Sequence, residues 1–188
     1  FSADNELFKI AKIIKTENPD YITVALDSQK PTFRHEIYSN YKSNRKKMPD
    51  ELRLQIPEIK KILSIMTMCT LICDGFEADD IIATVTKKIS NDDLKIFIVT
   101  GDKDIMQLVS DNVFVYSPGN KCSGTKIYDK DSVIDKWNVE PRKICDLLSI
   151  MGDSSDNIPG IRGIGPKTAS KLISEFKSVD SLMNNIDN

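Results

Sequence analysis

The sequence predicts an α/β fold with a mainly parallel sheet flanked by helices, and three observations predict it. Apolar runs rich in β-branched residues, from Tyr21 to Leu26, Thr70 to Cys73 and Lys95 to Thr100, alternate with stretches of helical periodicity. Carboxylates stand directly after those runs: Asp27, the cluster Glu77-Ala78-Asp79-Asp80, then Asp102 and Asp104. Near the end, Gly160-Ile161-Arg162-Gly163-Ile164-Gly165-Pro166-Lys167 opens a last helix, so the stretch from about residue 159 reads as a small helical appendage beyond the sheet.

The elements follow in order. Asp4 can cap a helix carrying Leu7, Ile10, Ala11 and Ile14 on one face. Asn18-Pro19-Asp20 is a turn before the first strand. From Ser28 to Pro49 the chain is polar and poor in core residues, and reads as short helices in a mobile excursion. Asp50 is placed to cap a helix with Leu52, Ile56, Ile59, Leu63 and Met66 in register, with Pro57 as a kink. The helix after Glu77 carries Ala78, Ile81, Ile82, Val85 and Ile89. Val113 to Tyr116 and Thr125 to Tyr128 read as strands joined by a Gly/Ser turn. Asp129, Pro141 and Pro166 open three further helices, the last with Ala169, Leu172, Ile173 and Phe176 on one face.

With 188 residues, 40% hydrophobic and 29% charged, the chain can build a real core. No apolar run approaches the roughly 20 residues of a membrane span. Cys69, Cys73, Cys122 and Cys145 form no CxxC pair and have no partnering histidines, which reads as buried free thiols in a reducing cytoplasm. A net charge of −2 argues neither for nor against nucleic acid, but its distribution is uneven. Arg34, Lys42, Arg45, Lys46 and Lys47 gather between residues 34 and 47 against one acid, Glu36.

Sites in parallel sheets lie beyond the carboxyl ends of the strands. Asp27, Glu77, Asp79, Asp80, Asp102 and Asp104 can therefore meet at one rim, and Asp153 and Asp156 follow a predicted helix. Each alone reads equally as a helix cap or a surface charge. Together they repel one another unless cations hold them. Carboxylates without histidine or cysteine select Mg²⁺, Mn²⁺ or Ca²⁺, and a single histidine, His35, argues against zinc and against histidine-based nucleophilic catalysis. Two Mg²⁺ ions about 4 Å apart suit phosphodiester hydrolysis. The glycine loop is either a packing corner or a phosphate-binding helix start, with Lys167 and Lys171 adding charge. The basic excursion is either a solvated loop or a path for single-stranded nucleic acid, with Phe33, Tyr38 and Tyr41 among its cations.

The ordered set of motifs resembles the 5′-nuclease family, closest to the 5′→3′ exonuclease domain of bacterial DNA polymerase I, with flap endonucleases as relatives. The resemblance rests on Ala25-Leu26-Asp27, Phe33-Arg34-His35-Glu36, Tyr41-Lys42 with Arg45 and Met48-Pro49, and Glu77-Ala78-Asp79-Asp80. It continues through Thr100-Gly101-Asp102-Lys103-Asp104 with Gln107-Leu108, then Gly152-Asp153-Ser154-Ser155-Asp156-Asn157-Ile158-Pro159-Gly160 and Gly163-Ile164-Gly165. It implies an α/β core over 1–158, with a helical arch at about 28–50, and a helix–three-turn–helix over 159–188. Asp27, Glu77 and Asp79 would hold the metal nearer the scissile phosphate, and Asp80 would assist directly or through water. Asp102, Asp104, Asp153 and Asp156 would complete a two-metal cluster of Mg²⁺, with Mn²⁺ as substitute. Arg34, Lys42, Arg45 and Lys46 would grip DNA and the reacting phosphate. Gly160, Gly163, Gly165, Lys167 and Lys171 would hold the duplex backbone, with a K⁺ at the loop.

The expected function is then a Mg²⁺-dependent, structure-specific 5′ nuclease, an exonuclease and flap endonuclease of a DNA polymerase I-type protein. Its expected partners are branched or nicked duplex DNA, RNA primers and a DNA polymerase, and the expected state is a cytoplasmic monomer. The family pattern begins with a strand ending in a further metal-binding aspartate, which this sequence lacks. The competing expectation is therefore a branched-DNA-binding module of the same fold with impaired catalysis. A toxin-like ribonuclease of the related PIN fold is a more distant alternative, opposed by the glycine loop.

Overall fold

The computed structural model describes residues 3–119 and 124–185, and side chains from residue 7 onward. The chain divides into two compact units, Phe1–Ile37 with Arg45–Ile81, and Tyr38–Asn44 with Ile82–Asn188. Among the described residues the strands form two sheets and not the single one expected. Periodicity marks a segment as a strand but does not choose its hydrogen-bonded neighbour.

The first unit holds helix α1 (Ala3–Glu17), strand β1 (Thr23–Ala25), helix α2 (Phe33–Ile37), helix α3 (Asp50–Ile65) and strand β2 (Cys69–Leu71). Asp4 falls within α1 and not before it. Asn18 reverses the chain with φ of 44°. β1 and β2 are parallel, with Thr23 opposite Cys69 and Ala25 opposite Leu71, and the Leu26 N–H extends the ladder to the Leu71 carbonyl at 3.0 Å. Pro49, not Asp50, takes the N-cap of α3. Its fixed φ suits a helix start, and Asp50 instead pairs with Arg53 at 3.0 Å. Leu63 is fully buried on the inner face of α3.

Helix α4 (Ala78–Ile89) begins where the carboxylates crowd. The Glu77 N–H donates to Asp80 at 2.9 Å and the Ala78 N–H to Asp27 at 2.7 Å. Two of the helix's orphan donors are thus satisfied by the acids that the sequence places around its start.

The second unit contains β3 (Ile96–Val99), a 3₁₀ turn (Asp104–Leu108), β4 (Val113–Ser117), β5 (Lys126–Tyr128) and α5 (Lys130–Trp137). Then come a short 3₁₀ turn (Pro141–Lys143), α6 (Ile144–Met151), α7 (Pro166–Phe176) and α8 (Val179–Met183). β3 and β4 are parallel and β5 is antiparallel to β4. Ile98, Val115, Val133, Ile144, Leu147, Ile150 and Ile173 make one buried core. Asp129 caps α5 by accepting from the Ser132 N–H at 2.8 Å. Pro166 occupies the first position of α7 after Gly165, as its missing N–H favours.

Two features position the site. Residues 153–158 close on themselves through reciprocal bonds between Asp153 and Ile158, at 2.9 and 2.8 Å. At the neck of this loop, Gly152 has φ of 77°, and a Cβ there would lie 2.3 Å from the Gly160 nitrogen. Segment 38–44, part of the excursion expected from Ser28 to Pro49, is fastened to that loop. The Lys42 N–H donates to the Asp156 carbonyl at 2.9 Å, and Asn44 Nδ2 to the Ser154 carbonyl at 2.7 Å. Asn157 Nδ2 donates to the Asn40 carbonyl and Ser43 Oγ at 2.8 and 2.9 Å.

Cys69, Cys73 and Cys145 are free thiols, as expected, but exposed and not buried. Cys69 lies on a two-stranded sheet and Cys73 in the loop after it, where little packs over them. Cys122 and the middle of the β4–β5 turn lie outside the described residues. Among the described residues no helix is long and apolar enough to cross a membrane.

Candidate metal centre and phosphate-binding surface

The predicted acids fall into one group in each unit. In the first, Asp27 is exposed after β1, Glu77 is buried before α4, and Asp79 and Asp80 are half-buried in its first turn. Arg34 on α2 forks onto Asp80 through Nη1 and Nη2 at 2.7 and 2.8 Å, and its Nη1 lies 3.8 Å from Glu77. Bidentate pairing fixes the orientation of a carboxylate. Arg34, which the sequence reading assigns to DNA, is engaged in this structure with the acids beside it.

In the second group, Asp104, Asp153 and Asp156 bring ligand atoms within 4.8 Å of one another. That spacing suits carboxylate oxygens arranged around one hard cation. Asp102 stands outside this trio, and its Oδ1 accepts the Asp104 N–H at 3.1 Å, which shapes the turn. Asp104 Oδ1 is buried and has no hydrogen-bond partner. Burial, and then the charges of Asp102, Asp153 and Asp156, push the Asp104 carboxyl up to about 6, against a smaller opposing pull from Lys103. A buried carboxylate oxygen without a donor is costly, and a cation is the partner its chemistry fits.

Asp153 is 5% exposed. Burial raises its carboxyl, but Lys103 and the Ser155 N–H outweigh burial and hold it below the ordinary range. Asp156 accepts from the Tyr41 hydroxyl at 2.8 Å, and the Lys42 ammonium stands 3.7 Å from the same oxygen. Tyr41, one of the aromatics of the polar segment, is 6% exposed. Its burial carries no periodic signal in so polar a segment. Lys42 lies over the Tyr41 ring with a backbone φ of 54°, an uncommon conformation for a side chain of its length.

Arg45, Lys46 and Lys47 are exposed beyond the fastened segment. In the glycine loop, Gly163 has φ of 85° and open space on its Cβ side, and Gly165 also faces open space. Gly160 has a different reason to be glycine, since a Cβ there would meet the Met151 backbone at 2.2 Å. Lys167 and Lys171 are exposed on α7. Sequence reasoning missed Lys103, which bonds Asp153 at 2.9 Å. Its place between Asp102 and Asp104 was the available signal.

Strands that end in carboxylates, with an acidic trio beside them, make the class of fold that can hold hard divalent cations, and the comparisons give its family. The chain belongs to the 5′-3′ exonuclease family, matching its N-terminal resolvase-like domain over residues 5–138 and its C-terminal SAM fold over 139–188. It is 44% identical over 173 residues to a 5′-3′ exonuclease of Aquifex aeolicus, covering 92% of this chain and 58% of the relative. It is 40% identical over 178 residues to DNA polymerase I of Mycobacterium tuberculosis, covering 95% of this chain and 20% of the relative. A bacteriophage T5 flap endonuclease, solved as a pseudo-enzyme–product complex with DNA and metal ions, superposes with a TM-score of 0.78 at 26% identity. That likeness covers 98% of this chain and 70% of the phage protein. The chain thus spans little more than half the length of one curated relative and a fifth of the other.

Proposed function

We propose that the chain is a Mg²⁺-dependent, structure-specific 5′ nuclease domain that hydrolyses phosphodiesters in branched or nicked DNA. The observation that carries the reading is the trio Asp104, Asp153 and Asp156 with the orphaned Asp104 Oδ1. Asp104, Asp153 and Asp156 would hold one ion, and Asp27, Glu77 and Asp79 another, with Asp80 kept in place by Arg34. Bound divalent ions would supply an activated water and neutralise the phosphate. Lys42 stands beside Asp156, where its ammonium can meet a phosphate oxygen and offset charge that builds during attack. Arg45 and Lys46, exposed, would hold a single-stranded 5′ end.

The loop 160–165 with Lys167 and Lys171 would hold the duplex backbone without reading bases, with K⁺ as its ion. The arch is assigned to about 28–50 and the helix–three-turn–helix to 159–188. We place the domain in the cytoplasm as a monomer that clears 5′ flaps and RNA primers beside a DNA polymerase I-type polymerase. A 5′-flap oligonucleotide tests the reading. It should be cut with Mg²⁺ and left intact in EDTA, and Asp104→Ala should lose cutting while keeping flap binding. Cutting unaffected by the chelator would refute it.

A further inference from the structure

Lys103 stands between two acids, and its Nζ is 2.9 Å from Asp153 Oδ1, with the ammonium 27% and the carboxylate 7% exposed. The same Oδ1 accepts the Ser155 N–H at 2.8 Å. Asp153 belongs to the trio whose ligand atoms lie within 4.8 Å of one another. Two of the three carboxylates therefore already face a cation of the chain: Asp153 is hydrogen-bonded to Lys103, and Asp156 has the Lys42 ammonium at 3.7 Å, beyond hydrogen-bond range. Asp104 has no such partner on its buried oxygen. Among the described contacts, Asp153 is the one hydrogen-bonded ion pair of Lys103, so its ammonium is committed to the trio.

We propose that Lys103 is a positioning residue, a resident counter-cation that holds the Asp104–Asp153–Asp156 trio together before a divalent ion arrives and competes with that ion for Asp153. This rests on the metal reading above. Two opposed effects follow from one charge. Without a divalent ion, the ammonium offsets repulsion among three crowded carboxylates and fixes the Asp153 rotamer. With one, it is a like charge close to the incoming cation, and it must yield Asp153 Oδ1 or share it. At an effective dielectric near 20, Coulomb's law makes a charge this close matter by more than tenfold in affinity. Reordering of Asp153 takes part of that back. The site is thereby set to take up its ion weakly and release it readily.

The test is Lys103→Met, which keeps the aliphatic stem and removes the charge, with Lys103→Gln as a second neutral variant and Lys103→Arg as the rescue. Mn²⁺ is titrated into the full chain without DNA and followed by electron paramagnetic resonance. Melting is recorded in EDTA and in saturating Mn²⁺. Both neutral variants should bind Mn²⁺ about tenfold more tightly, and should melt below the parent in EDTA but level with it in Mn²⁺. Lys103→Arg should restore the parent's values in both assays. Equal or weaker Mn²⁺ binding by the neutral variants would overturn the proposal. So would a melting deficit of the same size with and without the ion, since that marks a purely structural role. A parent that takes up no Mn²⁺ at millimolar concentration would instead overturn the metal reading itself.

Discussion

Replacing Asp104 with asparagine should stabilise the metal-free protein. The substitution keeps the shape of the side chain and removes one negative charge from a group that includes Asp102, Asp153 and Asp156. The size of the effect can be worked from the titration. Burial and neighbouring charges raise the carboxyl from 3.8 to about 6. At about 1.4 kcal/mol per pH unit, that sets an upper bound of ~3 kcal/mol on the cost of keeping it ionised. The residue is only half-buried, so solvent screening brings the gain to about 1–2 kcal/mol. For a chain of this size that raises the melting temperature by roughly 3–6 °C.

The sign follows from linkage. The folded state binds Asp104's proton more tightly than the unfolded state does, so its contribution to stability is lost as pH rises from 3.8 through about 6. The advantage of the variant should therefore be complete above pH 6 and vanish below about pH 4. Calorimetry in EDTA at pH 8 and at pH 4 measures both limits. In 20 mM Mg²⁺ the order should invert, because the parent gains from binding and the variant gains less. An asparagine variant no more stable than the parent at pH 8 in EDTA would refute the reasoning, as would an equal gain at pH 4.

Mn²⁺ affinity should rise as pH climbs through about 6, since the ion must displace the Asp104 proton; calorimetry in two buffers should show proton release at pH 5.5 that fades by pH 7.5. Arg34→Met should cost about 1–2 kcal/mol in urea unfolding by freeing Asp80 from its two bonds, and an unchanged midpoint would deny the fork any role. Gly152→Ala should cost at least ~2 kcal/mol, because both φ and the approach to Gly160 forbid a Cβ; a neutral result would mean that the neck relaxes freely. Lys42→Ala should slow single-turnover flap cleavage at least about tenfold while changing flap binding in Ca²⁺ little, and a parent-like rate would reduce Lys42 to a fastening residue.

Much of the scaffold was legible because periodicity and caps report local geometry. The stripe Ile81, Ile82, Val85 and Ile89 marked α4, Asp129 marked the start of α5, and Gly165-Pro166 marked the start of α7. The 3₁₀ turn from Asp104 to Leu108 and the five-residue α8 escaped notice, since neither is long enough to show a period. The acids of the site were legible as a set, but their grouping was not. Which carboxylates approach within bonding range of one ion depends on a turn closed by Asp102 and a loop closed by Asp153 and Ile158. The same holds for Tyr41 and Lys103, whose partners lie 115 and 50 residues away along the chain.

The neck formed by Gly152 and Gly160 bears on which changes of chain length the protein can accept. Between those two positions the backbone is a ring of fixed circumference, cinched by the paired Asp153 and Ile158 amides. Insertions in most surface loops cost little, because closure entropy grows slowly with length. Here one added residue would leave the neck shut and move Asp156 relative to Asp153, and it would shift the anchor to which Asn40, Lys42, Ser43 and Asn44 are tied. The ring acts as a ruler, and its count of residues matters as much as their identity.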